Sequence, residues 1–436
     1  MSSTLDIDAV RAQFPSLAKS FIFAENAGGS QILGSCVDRV ADYLINTNAQ
    51  HGAGYEHSIK ATERVAQGKR AVAELFGVEG GNADDQVVLG GSSTQLVENL
   101  ARAVEQDIRP GEEIIVTGEH ETNAGPWKKL ATRAGAALRL WEHMPLSTSP
   151  SNPYAVSLQL STLLPLITPV TRIIAISACS NLLGSVTDVG AVVKAVKEKA
   201  KEVGARKVEV CVDCVAYAPH RRMEVTKWGV DYAVFSLYKV YGPHISALYI
   251  HPAALSSSLS SLAHHFLPSN TIYKISPGGP GYELVWSATA IPEYFLSLSP
   301  SHTYQESFEM IRKHEEGLVR RLLGWLEARE QWERGVRVVG EGLKELEGDG
   351  VARRVPTVSF VVVGNKPMKS KDVVRVFDET GTIGIRYGHC YAYTLVEKLE
   401  PKIDIEDAVV RISLVHYNTL EELDKIIEVL DKALKS

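Results

Sequence analysis

Lys239 lies in the run Phe235-Ser236-Leu237-Tyr238-Lys239-Val240-Tyr241-Gly242-Pro243-His244, directly after an apolar stretch that reads as a strand. A lysine there sits at the strand's carboxyl end, the side of an open α/β sheet where ligands bind. A solitary lysine is usually just a solvated charge. Asp213, however, closes the earlier apolar run Val208–Val212 in the same way. An amine and a carboxylate that end two neighbouring strands can converge on one crevice. Pyridoxal phosphate requires that pair: the amine forms a Schiff base, and the carboxylate keeps the pyridine nitrogen protonated so that the ring accepts electrons.

A third element fits the same chemistry. Gly90-Gly91-Ser92-Ser93-Thr94 is a glycine and hydroxyl turn between a strand and a helix. Free N–H groups at the helix start, the positive end of its dipole and three hydroxyls make a cup for phosphate. Ser and Thr also serve as ordinary helix caps, so the turn alone decides little. It is not a Walker loop, and no GxGxxG opens a βαβ unit, which argues against a nicotinamide dehydrogenase. Cys211 and Cys214 form a CxxC inside an apolar strand, which suits core packing better than redox or metal chemistry. His264-His265 has no companions at ligand spacing, so no metal site is expected.

These residues need a scaffold that ends several strands at one edge. Apolar runs predict strands at Gln86–Leu89, Glu113–Thr117, Ala137–Trp141, Arg172–Ala178, Val208–Val212, Asp231–Ser236 and Ala247–Ile250. Helical periodicity falls between them at Ser93–Ala103, Ala124–Ala134 and Val189–Val203. Strands alternating with helices predict an α/β fold with a mostly parallel, helix-covered sheet. The texture changes after Ser297-Leu298-Ser299-Pro300. A long charged helix is expected from Thr303 to Gln331, then a strand at Thr357–Val363, a helix at Lys371–Thr380 and a strand at Val409–Val415. Thr419-Leu420-Glu421-Glu422 is a capping box opening a last helix. The domains expected are 21–295 for the large unit and 296–436 for a smaller α+β unit. Residues 1–20 should pack on the small unit or the junction.

Composition limits the remaining classes. With 46 basic and 52 acidic residues the net charge is −6, too acidic for general nucleic-acid binding. No apolar run approaches the roughly 20 residues of a membrane-spanning helix. The N-terminus carries no signal-peptide pattern, and five cysteines do not make a disulfide scaffold. A reducing, cytoplasmic setting is expected.

Four blocks, in order, resemble the class V aminotransferase and cysteine desulfurase-like family of fold-type I pyridoxal phosphate enzymes. They are Glu119-His120…Asn123…Pro126-Trp127, Ser180-Asn181-Leu182-Leu183-Gly184, Val212-Asp213…Pro219-His220 and Ser236-Leu237-Tyr238-Lys239…Gly242-Pro243. The C-terminal matches are Ile385-Arg386…Gly388-His389 and Val410-Arg411-Ile412-Ser413…Tyr417-Asn418-Thr419, and weaker ones are Glu25-Asn26-Ala27 and Pro277-Gly278-Gly279-Pro280-Gly281. The resemblance implies that Lys239 carries the cofactor, Asp213 holds its ring nitrogen and His120 stacks on the ring, with Trp127 helping to cover it. It implies that Asn181 contacts the ring oxygen and that Ser236 helps bind the phosphate, beside the cup of Gly91, Ser92, Ser93 and Thr94 and the hydroxyl that Tyr238 offers. Gly279 would serve the phosphate of a neighbouring subunit, so a homodimer with interfacial active sites is expected. Arg411 would grip the substrate carboxylate, with Arg386, Asn26, Tyr391 and Cys390 around it.

The departures from the family pattern bear on the reaction. Ala216 replaces the usual glutamine, Tyr238 the usual histidine, and Cys390 sits one position early among tyrosines. The expectation is therefore a lyase- or cyclase-type reaction at Cα of a small-molecule amino-acid substrate. The chain resembles fungal secondary-metabolism members of the family, including the loline-pathway enzyme that closes a ring by an intramolecular Mannich reaction. Alternatives are a cysteine desulfurase or C–S lyase, an aminotransferase or epimerase, and a non-catalytic cofactor-binding protein.

Overall fold

The structure is a computed structural model describing residues 4–78, 80, 83–268, 271–346 and 353–435. The first three residues of the expected N-terminal segment lie outside the described residues.

A seven-stranded sheet organises the chain. Its strands are β1 (Val87–Gly90), β2 (Glu113–Thr117), β3 (Ala137–Trp141), β4 (Thr171–Ser177), β5 (Glu209–Asp213), β6 (Tyr232–Ser236) and β7 (Ser246–Ile250), in spatial order β1-β7-β6-β5-β4-β2-β3. The pairs from β3 through β6 are parallel, and β7 alone runs antiparallel to both its neighbours. Most of these strands are buried along their whole length. That is why they read as continuous apolar runs without alternation. Apolar clusters cover both faces of the sheet, and Asp213 pairs with Ser177 on one side and Val234 on the other.

Helices of the large sheet are α1 (Gly34–Asn46), α2 (Glu56–Leu75), α3 (Ser93–Val104), α4 (Gly125–Ala134) and α5 (Val189–Glu202). Side-chain caps fix two of their starts. Ser92 accepts from Gln95 N at 3.1 Å at α3, and Asp188 accepts from Ala191 N at 3.0 Å at α5.

The long helix expected from Thr303 to Gln331 is shorter. Helix α6 spans Tyr304–Leu326, and a separate turn covers Arg329–Glu333. Ala328 is extended between them, and the Glu327 carboxylate accepts from Leu343 N at 2.9 Å. The non-helical backbone of Ala328, with ψ 146°, thus divides a stretch that periodicity alone would continue as one helix.

The second sheet is antiparallel and four-stranded, built from β8 (Val336–Val339), β9 (Thr357–Val362), β10 (Arg386–Gly388) and β11 (Val409–Ser413) in the order β8-β9-β11-β10. Helices α7 (Ser370–Thr380) and α8 (Leu420–Lys435) accompany it. The capping box at α8 forms reciprocally: Glu422 N donates to Thr419 Oγ1 at 3.1 Å, and Thr419 N to Glu422 Oε2 at 3.3 Å.

The N-terminal stretch ties the two sheets together. Phe14 packs edge-on against Tyr241, Tyr294 and Tyr417, and Arg11 donates to Tyr417 O and pairs with Glu422. The following Ile22-Phe23 pairs in parallel with Ile383-Gly384. Backbone bonds Asn26 N to Ser413 O and Ser413 N to Ala24 O then lay Glu25 alongside β11, the strand that carries Arg411.

Candidate active site

The carboxyl ends of β2, β4, β5 and β6 deliver their residues to one cavity of about 450 Å³. Its walls include the hydroxyl residues Ser92, Ser93 and Thr94, together with His120, Asn181, Asp213, Tyr238, Lys239 and Tyr391. A cavity of this size lies in the range of small-molecule and cofactor sites.

Lys239 is buried, and its Nζ donates to the carbonyl of Ala27. Burial, then the positive Arg411 nearby, push its amine down to about 7. The N-terminal segment clamps the turn around it: Ser30 Oγ donates to Lys239 O at 2.8 Å, and Leu33 N to Tyr241 O at 2.9 Å. Tyr241 takes a left-handed φ of 70° and is held by a 2.9 Å bond to His416 Nδ1.

Asp213 ends β5 with Oδ1 accepting from Val215 N at 2.8 Å. Burial raises its carboxyl to about 6, against that hydrogen bond and the Lys239 charge, which lower it. His120 accepts from Thr122 N through Nδ1 at 3.1 Å, which leaves the ring proton on Nε2. Burial first, then Lys239 and Arg411, push its imidazole down to about 4, so the ring is neutral near pH 7. Tyr391 stacks on it at 5.4 Å with a 30° tilt.

The hydroxyl cup stands at the start of α3, and Thr94 Oγ1 lies 3.0 Å from Thr122 Oγ1. Asn181 donates through Nδ2 to Cys390 O at 2.8 Å and accepts nothing at its buried Oδ1. Arg411 backs this wall. It is 2% exposed, Nη1 donates to Asn181 O at 3.1 Å, and Nε has no partner. This donor set fits pyridoxal phosphate: a buried amine, a buried acid, a neutral ring, a hydroxyl cup at a helix start and an unsatisfied amide.

Several residues expected at the site stand elsewhere. Asn26 spends its amide inside the protein, donating to Phe23 O, Ser413 O and Asn418 Oδ1 and accepting from Tyr417 Oη. Its neighbour Ala27 faces the cavity instead. Trp127 does not cover the cavity. It is fully buried below, its Nε1 donating to Asn123 Oδ1, and Asn123 in turn donates to Ile176 O. The Ser236 hydroxyl is engaged with Ser246 at 2.8 Å and does not line the cavity, whereas Tyr238 does. Gly91 is exposed just ahead of the cup, and Gly279 is exposed on a loop away from this chain's own cavity. Arg386 and Cys390 line an adjoining cavity of about 540 Å³ with Tyr387 and His389, and Tyr391 belongs to both walls. Cys211 and Cys214 are buried in the sheet's core, which drives their thiols well up.

Thr122, Ser177, Cys179 and Glu121, which no motif in the sequence marks, also line the cavity. Ser177 had a usable signal, since it ends an apolar strand as Asp213 does.

Comparison with known proteins agrees with this geometry. The chain is 38% identical over 440 residues to the aminotransferase-like protein FGM3 of Gibberella zeae, covering 99% of this chain and 100% of that one. It is 27% identical to the cysteine desulfurase-like protein ustD of Aspergillus flavus, over 99% of this chain and 91% of that one. The crystal structure of the cysteine desulfurase CsdA from Escherichia coli superposes with a TM-score of 0.79 at 21% identity, covering 99% of each chain, and so shares the fold. The class-V aminotransferase model matches residues 22–276 and 301–426, so the chain belongs to that family of pyridoxal phosphate enzymes.

Proposed function

We propose that the protein breaks a bond at Cα of an amino acid and carries the product into lyase- or cyclase-type chemistry of the intramolecular Mannich kind, in secondary metabolism. Bound at the site, pyridoxal phosphate supplies the electron sink that makes such a bond breakable. Lys239 anchors the cofactor and, with an amine pushed down to about 7, can take a proton from Cα near neutral pH. Asp213 holds the proton on the ring nitrogen. His120, neutral and stacked beside Tyr391, covers the ring. Ser92, Ser93, Thr94 and Tyr238 hold the phosphate, Asn181 meets the ring oxygen, and Arg411 takes the substrate carboxylate.

One observation carries the choice over sulfur transfer. A persulfide-forming cysteine needs a thiolate with reach. The Cys390 backbone is instead docked on the site, its carbonyl bonded to Asn181 and the next carbonyl accepting from Glu121 N at 2.9 Å. Cys36, Cys179, Cys211 and Cys214 are buried. Incubation with L-cysteine and a reductant is the test. Slow or no sulfide release, together with new absorbance on adding another amino acid, supports the proposal. Fast sulfide and alanine formation that Cys390→Ala abolishes would make the protein a desulfurase.

The same proposal includes the large unit 21–295 and small unit 296–436, a cytoplasmic location and a homodimer. The dimer is supported by exposed apolar side chains on α1 and at the start of α2: Val37, Leu44, Ile45, the capping residue Tyr55, and Ile59. The exposed Gly279 loop is the segment that would reach the partner's phosphate. Among the described residues no helix is long and apolar enough to cross a membrane.

A further inference from the structure

We propose that Glu25 is a specificity-determining residue, a built-in carboxylate that partly compensates the charge of Arg411 and competes with the substrate's carboxylate for it. The inference rests on the reading of Arg411 as the carboxylate-binding residue.

Glu25 Oε1 lies 2.9 Å from Arg386 Nη1 and 3.8 Å from Arg411 Nη2. Those two distances mean different things. The first is a hydrogen-bonded ion pair. The second compensates charge without satisfying a donor. A buried guanidinium with no opposite charge nearby is costly, and among the described residues Glu25 is the carboxylate within 4 Å of Arg411. Arg411 therefore has part of its charge compensated, by a carboxylate it shares with Arg386, while its donors are not used up: among the described residues Nε is buried without a partner and Nη1 is bonded to Asn181 O. A carboxylate meets guanidinium as a two-point fork. Arg411 is left ready for such a fork, which Glu25 does not make.

Glu25 is also displaceable. Its side chain is 35% exposed, and its partner Arg386 is 54% exposed, so the pair that retains it is weak. Its position is set by Gly28. A Cβ at that residue would come within 2.5 Å of Glu25 Oε1, so glycine there is what lets the carboxylate fold over the turn. The next carbonyl but one, that of Ala27, receives the Lys239 amine. The competing carboxylate thus stands on the segment that lines the reactive end of the cavity.

The selectivity follows from charge. An incoming monocarboxylate takes the open donors of Arg411 and displaces Glu25 from beside it. A second acid on the ligand would meet Glu25 as a like charge, so substrates with neutral or basic side chains are favoured over acidic ones.

Propionate and succinate titrated calorimetrically into the cofactor-loaded protein test this. Glu25→Gln should tighten propionate about threefold to tenfold, the size of a partly exposed ion pair, and should tighten succinate more. Gly28→Ala, which pushes the carboxylate aside without removing it, should move propionate in the same direction. The double variant should gain little over Glu25→Gln alone, because both changes act through one carboxylate. Arg411→Gln separates the two levels of the claim. If it abolishes propionate binding while Glu25→Gln leaves it unchanged or weaker, the role of Glu25 is overturned and Arg411 stands. If Arg411→Gln binds propionate as the native protein does, the carboxylate reading fails and Glu25 with it.

Discussion

Lys239 and Asp213 are both displaced from their ordinary ionisation by burial, and each displacement has a consequence that can be measured. An amine at about 7 is nucleophilic at physiological pH, where a surface lysine is still protonated. The rate at which cofactor-free protein captures pyridoxal phosphate should rise with pH, level off just above 7, and show no further climb toward 10. A profile still climbing at pH 10 would mean that Lys239 behaves as a solvated lysine. Asp213 runs the other way. Its carboxyl, raised to about 6, is ionised above that pH and neutral below it, so its hold on a protonated ring nitrogen weakens as pH falls through 6. Asp213→Asn should keep the covalent link to Lys239 yet lower turnover at least a hundredfold, since the electron sink loses its proton. Stopped-flow absorbance separates those two effects. These two residues were legible in the sequence because each ends an apolar strand. Glu25 and Arg411 were not legible as a pair, because their contact exists only after the N-terminal segment lies down on β11.

Elements differ in how much of their origin is local. The sheet strands follow from continuous apolar runs, and Glu113–Thr117 and Ala137–Trp141 have the expected bounds. Helix α8 follows from its capping box. By contrast, α1 and α2 are not legible from local pattern, since α1 leaves apolar side chains exposed and α2 is rich in charge. Strand β10 is short and partly exposed, and its place beside β11 is a tertiary choice. The loop bearing Asn181 is fixed in a similar way. Gly184 has φ 74°, and a Cβ there would stand 2.2 Å from Thr357 O on β9. Gly184→Ala should therefore destabilise the protein by about 2 kcal/mol or more and loosen cofactor binding through Asn181. Urea unfolding and cofactor titration check the two parts. Full stability in that variant would show that the loop does not dock on β9 as described.

At the scale of the whole molecule, one sheet brings strand ends into a crevice, the second sheet and the turn after its β10 bring Arg386, Cys390 and Tyr391 beside it, and Arg411 stands buried behind Asn181. The N-terminal segment runs between the two. Family blocks spread along the sequence made this arrangement readable before any geometry, whereas the assembly state rests on surface pattern. If α1 and α2 form the contact with a second copy, Ile45→Asp should shift sedimentation from dimer to monomer, since Ile45 is 78% exposed in the single chain. An unchanged sedimentation coefficient would move the interface elsewhere. Most directly at stake is the claim that this fold exists to seat an imine-forming cofactor on Lys239. The decisive measurement is borohydride reduction of the protein incubated with pyridoxal phosphate, followed by peptide mass spectrometry. One adduct is expected, on Lys239, and none at that site in Lys239→Ala. An adduct spread over surface lysines, or no adduct at all, would contradict it.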